Sequence, residues 1–192
     1  PGQRTHSPLV FSLLNEVQLA GTFEVSIKKH GDARGYFMET YKKEIFAAHD
    51  LQIDWTQENQ SLSEKKHTLR GLHFQLPPFE QTKLVRVVQG EIVDVFVDLR
   101  KDSETYGQWD SIHLSEENCK AAYVPRGFAH GFCTLSENAI IQYKVDNPYA
   151  PAHDSGIRWN DPDIGIIWET ENPILSAKDE ELQFLKDFVS PF

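Results

Sequence analysis

The span Leu69–Lys83, reading LRGLHFQLPPFEQTK, places an arginine, a histidine and a lysine close together between strand-forming stretches. An unperturbed imidazole titrates near pH 6.5, so His73 can stand as a free base at neutral pH and accept a proton. Lys83 can hold the oxyanion that develops when a proton leaves a carbon beside a carbonyl; a fixed donor there is worth roughly 3 to 4 kcal/mol in comparable sites. Arg70 can hold an anionic group. Farther along, AHGF adds His130, and Tyr143 beside Lys144 adds a phenol. A neutral phenol, with a pKa of about 10, can return a proton to a carbanion. Inverting a carbon next to a ketone needs a base on one face and an acid on the other. A histidine and a tyrosine from different strands across one cavity would supply that pair. The chemistry these residue types suggest is proton transfer beside a carbonyl, done without metal.

Each of these residues also has a plainer reading. A strand histidine can be a satisfied structural residue, although burying His73 beside Arg70 and Lys83 is awkward without an anion to bind. A strand tyrosine can simply pack, and Lys83 can be a solvated strand charge. Asp179 fits a capping box in Ser176-Ala177-Lys178-Asp179, at the third helical position. Alternatively its carboxylate orients the His73 ring and stabilises the imidazolium. Metal binding is the main rival. PRGFAH, Pro125 to His130, is similar to the second cupin motif, in which PxGxxH supplies a histidine ligand. The first cupin motif needs His-x-His, and here the tripeptide is His73-Phe74-Gln75. Glutamine is a poor ligand for divalent transition metals. Two histidines leave a site short of the three protein ligands usual in catalytic zinc. The expectation from the residues is no metal.

The elements that must position these groups are mostly strands, from about residue 22 to 168. KLVRVV, then QGE, then IVDVFVDLR form two alternating runs around a short glycine-containing turn, the pattern of a hairpin. Lys83, Val85 and Val87 share one face; Val93, Val95 and Val97 face oppositely to Asp94, Phe96 and Asp98. Further strands are expected at 23–27, 111–114, 121–124 and 139–145, punctuated by turn clusters such as DARG, VPRG, LSEN and NPYAP. Many short strands with few helices predict a sandwich or barrel. Helices are expected at about 40–49 and from near Ser176 onward, the second carrying Leu182, Leu185 and Phe188.

With 192 residues the chain can bury one good core. Residues 17–192 are read as a single domain and 1–16 as an N-terminal extension. A net charge of −10 without a basic run excludes a duplex- or membrane-surface binder, while a few local arginines can still bind phosphate. No signal-peptide core or bilayer-spanning run is evident, and the two cysteines, Cys119 and Cys133, read as reduced thiols of a cytoplasmic protein.

Ordered blocks from about Gly21 to Asp179 resemble the dTDP-4-dehydrorhamnose 3,5-epimerase family: DARGYFME, QEN, LRGLHFQ, KLVRVVQGEIVDVFVDLR, SETYGQW, LSEEN, VPRGFAHGF, YK, GIRWND and LSAKD. The resemblance implies an all-β, cupin-type jelly roll with a few short peripheral helices. It also implies a homodimer and a dTDP-linked 4-keto-6-deoxyhexose substrate, with no metal or organic cofactor. By position, His73 looks like the family's proton acceptor and Tyr143 like its donor. Asp179 looks like the partner of His73, and Lys83 like the group facing the C4 oxygen. Arg34, Glu39, Gln57, Asn59, Arg70, His130 and Lys178 fall where the family contacts substrate. Tyr149 falls where an aromatic stacks on thymine, and Asp154 matches a position that is commonly glutamate. The family's usual QDN reads QEN here, at Gln57 to Asn59. An extra residue before Arg70 and the shorter Asp154 also touch substrate fit rather than the catalytic groups.

Overall fold

Alternation of apolar and polar side chains builds two antiparallel sheets that face each other. The computed structural model describes residues 10–13, 19–52 and 54–192, so most of the 1–16 extension lies outside the described residues. The strands are β1 (Val10–Leu13), β2 (Phe23–Ser26), β3 (Lys29–Asp32), β4 (Gly35–Met38), β5 (Gln57–Ser63), β6 (Leu69–Gln75) and β7 (Lys83–Gln89). They continue with β8 (Glu91–Asp98), β9 (Trp109–Ser115), β10 (Lys120–Val124), β11 (Phe128–Thr134), β12 (Ala139–Val145) and β13 (Asp154–Gly156). One sheet has the order β1-β2-β10-β7-β12-β5, the other β13-β6-β11-β8-β9, and β3 pairs only with β4. This is the cupin-type jelly roll that the strand pattern and the family resemblance led one to expect.

Between the sheets lies a core of Val85, Val87, Phe96, Ile112, Phe128, Phe132 and Ile141 with their neighbours. A fully buried side chain of this kind contributes about 1.5 to 3 kcal/mol over an exposed one. The outer face of the five-stranded sheet is covered by the chain after β13, through Ile157, Ile164, Trp168, Phe188 and Phe192. Phe74 holds that cover with ring contacts to Phe188 at 5.1 Å and Phe192 at 5.8 Å. Helix α1 (Lys43–Ala48) buries Phe46 against the other sheet's outer face, with Val25, Leu84 and Tyr123. No helix among the described residues is long and apolar enough to cross a membrane.

Three expectations are corrected. β7 and β8 are not a hairpin: they belong to different sheets. β8 is buried on both faces, so it sits in the middle of its sheet between β11 and β9. The chain turns the corner at Gly90, where φ is +86° and a Cβ would meet Ser136 and Ala139, a position that favours glycine. The C-terminal helix is also shorter than the Leu182, Leu185, Phe188 spacing suggests. α2 covers only Ala177–Glu180. Beyond it the backbone of Gln183 accepts from Arg158 N at 2.8 Å and bridges to Ile157, which competes with helical hydrogen bonding. The first helix begins at Lys43 rather than near Thr40, since Lys42 is extended at its N-cap.

Candidate active site

The two sheets diverge around a cavity of about 530 Å³ lined by Arg70, His73, Lys83, His130, Tyr143, Asp179 and neighbouring side chains. A second lobe of about 250 Å³ shares His73, Lys83, Tyr143 and Lys178 and extends to Gln81, Tyr149 and Asp154. His73 and His130 come from β6 and β11 of the five-stranded sheet, where they are paired across the strands. Lys83 and Tyr143 come from β7 and β12 of the opposite sheet. The alternation in β7 directs Lys83 inward with Val85 and Val87, as the sequence indicated.

Arg70 and His73 are three residues apart, so a regular strand would point them to opposite faces. Both line the cavity because the β6–β11 register shifts between His130 and Phe132. Gly71 and Gly131 make that irregularity feasible. At Gly71, with φ +130°, a Cβ would stand 2.7 Å from Gly131 Cα; at Gly131 it would stand 2.7 Å from the Arg70 carbonyl oxygen. Such irregularities re-aim side chains beside functional sites. Arg70 is then steadied by its Nε donating to Ser63 Oγ at 3.1 Å and a guanidinium nitrogen donating to the Leu62 carbonyl at 3.1 Å.

Asp179 reaches the site from α2, delivered by the segment that pairs Ile174 with Leu69 N and the His67 carbonyl. Asp179 has contacts that bear on both of its readings. Its backbone N–H donates to Ser176 Oγ at 3.2 Å, which is the cap. Its carboxylate does not close the box: Oδ1 accepts from His73 Nε2 at 2.7 Å and Oδ2 from Gly71 N at 3.0 Å. Burial alone would raise this carboxyl, but the hydrogen bonds from His73 and Gly71 and the charge of Lys178 hold it below the usual range. With Nε2–H donating to Asp179, the His73 lone pair lies on Nδ1. The His73 side chain keeps 34% exposure, whereas Asp179 keeps 6%.

Burial brings the Lys83 ammonium down to about 8, opposed by the charges of Asp94 and Asp154. His130 is likewise pushed below its ordinary value by burial, against the pull of Asp94, whose Oδ1 accepts from Nε2 at 2.7 Å. Asp94 was not singled out from the sequence, although a carboxylate inside a strand buried on both faces is a signal that it must serve something. Asp98, four residues further along the same face, is explained by its bonds to Arg100, Ser103 and Thr105. Ser61 was also missed; its hydroxyl lines the cavity, buried and without a hydrogen-bond partner among the described residues.

The remaining candidates divide. Lys178 Nζ donates to Asp154 Oδ2 at 2.6 Å at the rim of the second lobe, near the half-exposed Tyr149. Gln57 donates to Asn59 Oδ1 at 2.7 Å and accepts from Tyr149 N at 3.1 Å, so it ties the Tyr149 loop to β5. Asn59 lies directly across from Tyr143. Arg34 and Glu39 line neither lobe. Arg34 is at the tip of the β3–β4 hairpin, 90% exposed and paired with Asp32 at 2.5 Å.

The cupin-like ligand positions are otherwise engaged. Gln75 lines the second lobe, but its amide donates to the carbonyls of Phe79 and Pro148 and accepts from Ala150 N, so its polar atoms fasten loops. His73 and His130 each present Nε2 to a carboxylate. Among the described residues no three His, Cys, Asp or Glu side chains form a metal-holding group.

Comparison with known proteins places the chain among its relatives. The family model of dTDP-4-dehydrorhamnose 3,5-epimerase matches residues 16–187. The dTDP-4-dehydrorhamnose 3,5-epimerase of Methanothermobacter thermautotrophicus is 46% identical over 175 residues, 90% of this chain and 94% of that one. The crystal structure of the Bacillus anthracis enzyme of that name, with TDP and PPi bound, superposes with a TM-score of 0.88 at 44% identity, covering 92% of this chain and 99% of that one. The Legionella pneumophila dTDP-6-deoxy-D-glucose-3,5-epimerase in complex with dTDP-4-keto-L-rhamnose superposes with a TM-score of 0.84 at 38% identity, covering 88% and 90%. The chain therefore belongs to the dTDP-4-dehydrorhamnose 3,5-epimerase family and is an isomerase on a cupin-type jelly roll.

Proposed function

We propose that this enzyme inverts C3 and C5 of dTDP-4-keto-6-deoxyglucose to give dTDP-4-keto-rhamnose, without a metal or organic cofactor. The observation that carries this reading is that His73 and Tyr143 reach one cavity from opposite sheets, together with Lys83. His73 Nδ1 takes the C3 proton, and the C–H electrons pass into the enolate, leaving negative charge on the C4 oxygen. The Lys83 ammonium faces that oxygen. Tyr143 gives its phenolic proton to the other face of C3; His73 then releases the proton it took and the tyrosinate regains one before the sequence repeats at C5. Asp179 holds the imidazole ring and stabilises its cationic form. Positioned acid and base groups of this kind each contribute about 10² to 10⁴ in rate.

Tyr149 is the platform for the thymine ring, with Gln57 and Asn59 setting its loop. Arg70, His130 and Lys178 hold the anionic and hydroxyl groups of the substrate, and Asp154 positions Lys178. Arg34 and Glu39 act from the partner chain of a homodimer. The exposed β3–β4 hairpin, with Tyr36 at 62% and Phe37 at 66% exposure, supports that assignment. Residues 17–192 function as one domain, in the cytoplasm, where nucleotide sugars are made.

The decisive experiment is turnover of dTDP-4-keto-6-deoxyglucose in deuterium oxide, read by NMR and mass spectrometry. Label should enter at both C3 and C5. Label at C3 alone would assign a 3-epimerase, and no exchange at all would leave a binding module. His73→Asn should nearly abolish exchange; a variant with near wild-type rate would remove His73 as the base.

A further inference from the structure

Lys83, on β7, is faced by His73 from β6, Asp94 from β8, His130 from β11, Tyr143 from β12 and Asp154 from β13, with Lys178 and Asp179 of α2 at the same cavity. Most of the negative charge in this set is already engaged. Asp179 is bound to His73 and to Gly71 N, and Asp154 to Lys178 at 2.6 Å. Asp94 differs. It is 0% exposed, one oxygen accepts from His130 at 2.7 Å, and the other is buried without a hydrogen-bond partner among the described residues. Burial pushes the His130 imidazole below its ordinary value, which weakens it as a counter-charge to the carboxylate. An isolated ionised carboxylate in such a place is costly unless a cation balances it. The cation that lines the same cavity as His130 and feels the Asp94 charge is Lys83, itself partly buried on β7.

We propose that Asp94 is a positioning residue that supplies the fixed negative charge of the pocket, locking His130 with one oxygen and keeping Lys83 an ammonium with the charge on the other. It touches neither the sugar nor the reacting carbons; it acts through the lysine that receives the enolate charge. A neutral amine at that position could still donate a hydrogen bond, but it would lose the charge that makes the oxyanion partner effective. Through Lys83 the carboxylate acts on enolate stabilisation, and through His130 it steadies a side chain that holds the substrate.

This inference rests on the role given to Lys83 under the proposed function, and its test is chosen to fail independently. Protein labelled with [13Cε]lysine is titrated without ligand, and the Lys83 resonance is identified by its absence in Lys83→Met. In the wild type its midpoint is expected near 8. In Asp94→Asn it should fall by about one unit, the effect of deleting a nearby opposite charge. Asp94→Glu should restore it, and the alkaline limb of kcat/KM should move in step with the NMR midpoint. Should Asp94→Asn not fold, Asp94→Ser is read in the same way. An unchanged Lys83 midpoint in a folded neutral variant overturns the proposal. If the midpoint moves while His73→Asn retains turnover, the charge assignment stands and the epimerase mechanism fails instead.

Discussion

At the scale of single residues, the site is a set of charges held away from water, and its cost is legible in Lys83. The folded-state value of about 8 lies below the ordinary 10.5. Between those two values the unfolded chain binds the extra proton, so stability rises with pH across that window. Below it, the buried ammonium costs up to about 3 kcal/mol, taking 1.36 kcal/mol per unit. Lys83→Met is therefore expected to lose the rise in stability above pH 8, measured by urea denaturation at several pH values. The same variant should lose about 10² to 10³ in kcat, because the enolate oxygen loses its donor. The wild type itself should lose activity as pH climbs through about 8, when the amine becomes neutral. A Lys83→Met protein that keeps the rise in stability above pH 8 would contradict this account of the buried charge.

At the scale of elements, the close approach of β6 and β11 decides which side chains meet. Gly131→Ala would drive a methyl against the Arg70 carbonyl, at 2.7 Å, with backbone on both sides and no flexible side chain to yield. Overpacking of this kind costs roughly 1 to 3 kcal/mol. Thermal denaturation should show a lowered Tm. Because the strain falls between Gly71 N, which holds Asp179, and the cross-strand pair His73–His130, kcat should fall as well. Full activity together with lowered stability would show that the irregular register is structural only. The same element logic explains the paired cap and dyad at α2: a four-residue helix presents the Asp179 N–H to Ser176 and frees its carboxylate for the cavity.

At the scale of the whole molecule, the hairpin β3–β4 stands apart from both sheets with Tyr36 and Phe37 exposed, and large exposed apolar groups of this kind mark interaction sites. Sedimentation equilibrium is expected to give the mass of two chains, and Phe37→Asp to shift the protein towards monomer with weakened turnover. A wild type that sediments as a single chain would dismiss the partner role given to Arg34 and Glu39. The two thiols report on packing elsewhere. Cys133 is fully buried, and burial pushes its thiol up to about 11. Cys119 is half-buried beside the carbonyls of Glu116 and Glu117. A thiol reagent should thus modify one cysteine in the native protein and the second only on unfolding.

What the sequence determined by itself was what local periodicity and residue chemistry can encode. Alternation located the strands and turned Lys83 inward with Val85 and Val87. The ordered motifs pointed to the family, and the residue types of His73, Tyr143 and Lys83 pointed to proton transfer beside a carbonyl. Tertiary structure decided what depends on contacts distant in the chain. Gly90 reads as a hairpin turn until β8 is seen buried on both faces in the other sheet. Arg70 and His73 share a cavity only because Gly71 and Gly131 let two strands approach across a shifted register. Asp179 serves both as cap and as histidine partner because a segment more than a hundred positions away pairs back onto β6. Asp94 is one polar residue in an apolar run until folding sets it beside His130 and across from Lys83. Local pattern fixes which face a side chain takes, whereas burial and long-range pairing fix which charges must share one low-dielectric space.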